Sequence, residues 1–221
     1  MKKPLVTLCV LIIMSSSTLA QFSIGPRFGI NLASVSNDPD YGSGVEQSSM
    51  LGFIFGASVE LGIAGPFYIE VQPLYIQKGE DLKAQVAWNT QQGQQQLDTD
   101  VSDRATYLEF PVLFKIKIPA GPIKPYGFVG PNIGINLSGT RTFKSSAGEE
   151  EQDLNASSID FALDFGAGVS FGVMPMMSLT FDVRYSLGLS NVLDVETPQG
   201  GTAPSANTRG IQLMIGAMFG L

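Results

Sequence analysis

Residues 177–189 read MSLTFDVRYSLGL. Met177, Leu179, Phe181, Val183, Tyr185, Leu187 and Leu189 alternate with Ser178, Thr180, Asp182, Arg184, Ser186 and Gly188. A period of two sends these sets to opposite faces of an extended strand, whereas a helical period of 3.6 would mix them. Residues 159–173 repeat the pattern. Ile159, Phe161, Leu163, Phe165, Ala167, Val169 and Phe171 stand against Asp160, Asp164, Gly166, Gly168 and Ser170.

Working outward, the same alternation predicts strands near 22–35, 50–61, 67–78, 106–118, 125–137 and 210–221, eight in all. The gaps alternate in length. Residues 36–49, 79–105, 138–157 and 190–209 are long and polar, including a Gln-rich patch at Gln91–Gln96. Residues 62–66, 119–124 and 173–176 are short and carry Gly or Pro. Long and short connections in turn put every long loop at one end and every tight turn at the other. The expected fold is all-β: an eight-stranded antiparallel up-and-down barrel. Each predicted strand has about 12–15 residues, enough to cross a bilayer when tilted.

Volume decides which face points outward. The apolar face carries twelve of the fourteen phenylalanines, among them Phe28, Phe53, Phe114, Phe165 and Phe181. An eight-stranded barrel has room inside only for a modest side-chain filling, which that load would exceed. The other face carries Gly29, Gly52, Gly56, Gly130, Gly134, Gly166, Gly168, Gly188 and Gly216, which suits a narrow lumen. The phenylalanine face therefore meets lipid, and the chain reads as a transmembrane barrel of an outer membrane. Charge obeys the same division. Arg27, Glu60, Glu70, Lys78, Glu109, Lys115, Lys117, Asp160, Asp164, Asp182 and Arg184 all fall on the glycine face. A lipid-facing charge near the midplane costs up to about 2–4 kcal/mol. Ions of both signs in so narrow a space are expected to pair, giving a closed lumen, with Arg184 beside Asp182 a natural partner for it.

Residues 1–20 begin with Lys2 and Lys3, run apolar from Leu5 to Met14 and end Thr18-Leu19-Ala20. That is the pattern of a cleaved secretory signal peptide, leaving residues 21–221 as one barrel domain. Cys9, the single cysteine, lies inside the leader, so the mature chain is expected to have neither disulfides nor thiol chemistry. Loss of Lys2 and Lys3 takes the net charge from −7 to −9, which gives the chain no electrostatic reason to seek nucleic acid.

The chain has no histidine, and with it go the commonest general base and the commonest metal ligand. Asp160 and Asp164 lie about 13 Å apart along one strand, too far for a glycosidase carboxylate pair. No enzyme activity, cofactor or metal is expected. The acidic loop clusters Asp98/Asp100/Asp103 and Glu149/Glu150/Glu151/Asp153 lack the spacing of a calcium-binding loop.

Three segments resemble a known family. Tyr107-Leu108-Glu109-Phe110-Pro111-Val112-Leu113-Phe114-Lys115, Lys124-Pro125-Tyr126-Gly127-Phe128-Val129-Gly130-Pro131 and Asp164-Phe165-Gly166-Ala167-Gly168-Val169 are similar to strand signatures of the PorT-like, porin-family outer membrane beta-barrels. The start, Gly25-Pro26-Arg27-Phe28-Gly29, is similar too. The family takes its name from a barrel required by a secretion and gliding-associated export system. The resemblance thus implies outer-membrane location and assistance to protein partners, and it carries over no catalytic residue. Three function classes stand: a structural or accessory component of an export or surface assembly, a surface adhesion or ligand-contact barrel acting through acidic loops, and a narrow solute channel. The expected partners are outer-membrane lipid and lipopolysaccharide, with proteins of a secretion or surface complex.

Overall fold

A computed structural model describes residues 22–38, 45–90, 93–145, 148–154, 157–191 and 205–221. The segment read as a leader lies outside them. The strands in chain order are β1 (Phe22–Asp38), β2 (Val45–Ala64), β3 (Phe67–Val71), β4 (Leu74–Thr90), β5 (Gly93–Lys117), β6 (Ile123–Ser145), β7 (Gly148–Asp153), β8 (Ile159–Met174), β9 (Met177–Gly188) and β10 (Ser205–Gly220). β3 and β4 form one interrupted stave and β7 and β8 another, so ten strands make eight staves. All neighbours are antiparallel, and β1 pairs with β10 to close the ring.

Register fixes the dimensions. Phe22 pairs with Leu61, Leu61 with Ile69, Ile69 with Phe114 and Phe114 with Val129. Val129 then pairs with Phe165, Phe165 with Tyr185, Tyr185 with Ile211, and Ile211 with Leu32. One circuit that began at Phe22 therefore returns to the first strand at Leu32. With eight staves, that stagger tilts the strands about 40° and sets a backbone radius of about 8 Å.

The outward face has a sharp upper edge. Along β1 it runs Ile24, Phe28, Leu32 and then Ser34; along β10 it runs Phe219, Ile215, Ile211 and then Arg209. A tilted strand rises about 2.5 Å per residue along the barrel axis, so eleven residues from Phe22 to Leu32 span about 25 Å, the height of an outer-membrane apolar band. Phe28, Phe53, Phe114, Phe165 and Phe181 are all exposed on this face.

The strands are longer than expected, and two expected loops are largely strand. In 79–105, β4 and β5 pair from Leu74↔Glu109 up to Thr90↔Gly93. In 138–157, β6 continues to Ser145 and pairs with β7. Above the apolar band the outward face turns polar (Asp81, Lys83, Ser102, Arg104) while the inward face stays buried at Glu80, Leu82, Asp103 and Ala105, so the apolar-out signal ends although backbone pairing continues. Gln94–Gln96, taken as loop, belong to β5; Gln91 lies outside the described residues. Proline explains the interruption between β3 and β4. The Ala57 N–H donates to the Pro73 carbonyl and the Gln72 N–H to the Pro111 carbonyl, each at 3.1 Å. Neither proline can return the bond.

Phe165 sits near mid-band. Phe165→Arg should cost about 2–4 kcal/mol in urea unfolding from lipid vesicles, and Thr106→Arg, at the upper edge, about 0–1 kcal/mol. Equal costs at both positions would show that the bilayer does not lie where the apolar band places it.

Candidate functional site: the charged lumen

The glycine face encloses the interior. Each of the eleven charged residues on it has an oppositely charged partner within 3.3 Å. They form three tiers. Nearest the tight-turn end, Glu60 and Glu70 share Lys115, and Glu60 also takes Lys117. Ser58 and Gln72 donate to Glu70. Lys115 and Lys117 lie over the rings of Tyr126 (4.2 Å) and Tyr68 (4.5 Å), contacts that add cation–π attraction in a desolvated setting.

In the middle tier, Arg27 donates to Asp182 (2.5 Å) and to the Thr180 hydroxyl (2.7 Å), while the Tyr126 hydroxyl donates to Asp182 (2.8 Å). Arg184 meets Asp164 (3.3 Å) and donates to Gln72 (2.5 Å). Asp182 and Arg184 are neighbours on one strand face, yet each takes its ionic partner from another strand. The paired geometry expected between them is therefore replaced by cross-strand pairing, which ties β9 to both β1 and β8. In the upper tier, Lys78 bridges Glu109 (2.5 Å) and Asp160 (2.9 Å). Thr208 and Ser190 also donate to Asp160. Asn132 links the two upper tiers, donating to Glu109 (2.8 Å) and Asp164 (3.2 Å).

These groups are shut away from water. Arg27 is 1% exposed and Arg184, Asp164 and Asp182 are 0% exposed. Lys117 alone among the eleven is only half-buried. It lines a recess of ≈ 350 Å³ at the tight-turn mouth with Glu60, Tyr68, Lys124 and Met218.

Glycine makes the network fit. Gly168 and Gly166 stand opposite Tyr126 and Phe128. A Cβ at Gly168 would meet Tyr126 Cζ at 2.6 Å, and one at Gly166 would meet Phe128 Cζ at 2.7 Å. The two rings therefore lie flat over bare backbone, and Arg184 rests 5.4 Å from the Phe128 ring centre.

Reading for charge overlooked the neutral partners Ser58, Gln72, Tyr126, Asn132, Thr180 and Thr208. Their signal was present: each lies on the glycine-bearing face of its strand. It also overlooked Arg141, which grips Asp103 through two bonds (2.6 and 2.5 Å) above the bilayer, in segments read as loops. The side chain of Trp88 lies outside the described residues.

A closed antiparallel ring with a lipid-facing apolar band and a polar, charge-paired interior defines a transmembrane β-barrel. The chain belongs to the outer membrane protein beta-barrel domain family, whose model matches residues 15–194. It is thereby an outer-membrane protein. Among solved structures it is similar to the outer membrane protein OprG from Pseudomonas aeruginosa, with 14% identity, TM-score 0.52 and coverage of 91% of this chain and 96% of that one. It is also similar to Outer Membrane Protein W of E. coli (10% identity, TM-score 0.49, coverage 91% and 98%). Neisserial surface protein A matches at 15% identity, TM-score 0.45 and coverage of 91% and 97%. No curated protein matches.

Removing one partner of a buried ion pair leaves the other uncompensated, at about 3–5 kcal/mol. Arg27→Met should cost that much in vesicle unfolding, and Asp182→Leu added to it should recover a good part. A double variant as unstable as the sum of the single ones would show that the two side chains do not act as a pair.

Proposed function

We propose that this barrel is a closed, non-conducting outer-membrane scaffold, a structural or accessory component of an export or surface assembly. One observation carries the reading: each of the eleven charges at membrane depth in the lumen is matched by a counter-charge at contact distance, across tiers tied together by Gln72, Tyr126 and Asn132. Permeation would require desolvated ions to part from their partners at several successive levels, each at a cost of several kcal/mol. A barrel so filled acts through its surfaces. The PorT-like resemblance supports the export-assembly form of this reading.

A second reading, contact with a surface ligand, is favoured by the shape of the outer rim. β4, β5 and β6 continue as paired strands well above the apolar band, to Thr90, Gly93 and Ser145, while β8 and β9 stop near it at Ile159 and Gly188. Among the described residues the β4–β5–β6 side, with β7 paired onto β6, is the tallest part of the rim.

Purified barrel in planar bilayers should give no steady single-channel steps, and reproducible steps would overturn the closed-lumen reading. Pull-down of a tagged barrel from gently solubilised outer membranes, followed by mass spectrometry, tests the assembly role. Stoichiometric recovery of export subunits is the expected result; a partnerless barrel would favour surface contact.

A further inference from the structure

Of the eleven cations in the described residues, seven are held in ion pairs and four, Lys83, Arg104, Lys124 and Arg209, are exposed with no ion pair among those residues; of these four, only the two arginines lie next to the upper edge of the apolar band. Arg27, Lys78, Lys115, Lys117, Arg141, Lys144 and Arg184 are all in ion pairs. Arg104 on β5 and Arg209 on β10 are exposed, and among the described residues neither has a carboxylate partner. Their positions are not arbitrary. Both point outward, towards the surroundings of the barrel rather than its lumen. Arg209 is the first outward residue beyond Ile211, and Arg104 the first beyond Thr106. At a rise of about 2.5 Å per residue, each guanidinium is rooted about 5 Å above the last apolar or edge position, at headgroup depth.

Their neighbours leave them open. Arg104 stands between Gly79, which has no side chain, and Thr140. Arg209 stands between Leu187 and Ser34. No carboxylate lies directly across from either. Asp81, on the outward face of β4, accepts from the Ser102 hydroxyl at 2.6 Å. β5 and β10 are separated by β4, β2 and β1 around the ring, so the two arginines mark nearly opposite sides of the barrel.

The long hairpins place this rim at the outer leaflet of the outer membrane, which is built from a phosphorylated glycolipid. A planar guanidinium at headgroup depth with no acceptor among the described residues is suited to bidentate binding of a phosphate. We propose that Arg104 and Arg209 each hold a phosphate group of the outer-leaflet glycolipid, lipid A, and so make two lipid sites on opposite flanks of the barrel. The proposal requires the membrane placement alone and is independent of whether the lumen conducts.

The test is native mass spectrometry of the full barrel in nanodiscs containing bisphosphorylated lipid A, its dephosphorylated form or phosphatidylglycerol. Wild type should retain bisphosphorylated lipid A about tenfold over the dephosphorylated form, with up to two molecules per barrel. Arg104→Gln and Arg209→Gln should each remove one bound molecule, and the double variant should abolish the preference. Lys83→Gln, higher on the rim, and Lys124→Gln, at the tight-turn end, should leave retention unchanged. The gel shift between boiled and unboiled samples verifies that each variant is folded. Equal retention of phosphorylated and dephosphorylated lipid A, a double variant that binds like wild type, or equal retention of phosphatidylglycerol would each overturn the proposal.

Discussion

Everything in this molecule follows from the need of each backbone N–H and C=O inside a bilayer to find a protein partner. No water is present in the hydrocarbon to take up an unpaired edge, so the sheet must close on itself. Closure through eight staves with the stagger from Phe22 to Leu32 sets the radius, and the radius sets what the interior can hold. The outer face is free to be large and apolar. The inner face must be small where staves crowd and polar where side chains of several staves meet.

That conflict resolves into a division of labour along each strand. Gly166 and Gly168 give up their side chains so that Phe128 and Tyr126 can lie across them. The Tyr126 ring then supports Lys115 on its face, while its hydroxyl reaches Asp182. One aromatic residue thus joins the lower and middle tiers. Such coupling makes single deletions in the lumen expensive and coordinated replacements tolerable.

The fold was legible because lipid writes a strong signal. In 177–189 and 159–173 a strict period of two leaves no competing reading, and twelve phenylalanines on one face decide its orientation. The lumen charges were legible for the same reason, since parity alone places Arg27 or Asp164 inside. Their partners were not. Asp182 sits two residues from Arg184 but pairs with Arg27, more than 150 residues away in sequence. Pairing depends on tilt and stagger, which no local pattern encodes. The hairpins above the membrane escaped for the opposite reason: Gly148–Asp153 are exposed on both faces and have no periodicity to display, and the run Gln94–Gln96 is polar at every position.

The seam between β1 and β10 has a kinetic meaning. Ser23 pairs with Gly220, and Asp38 with Ser205, so the bonds that close the ring join opposite ends of the described chain. Contacts so distant in sequence require the largest loop-closure entropy and form slowly. Until they form, two edge strands remain unpaired, each a template for joining another chain. The barrel is therefore most vulnerable to misassembly in the interval before its first and last strands meet, and a delay at that seam would endanger it more than the loss of any one lumen contact.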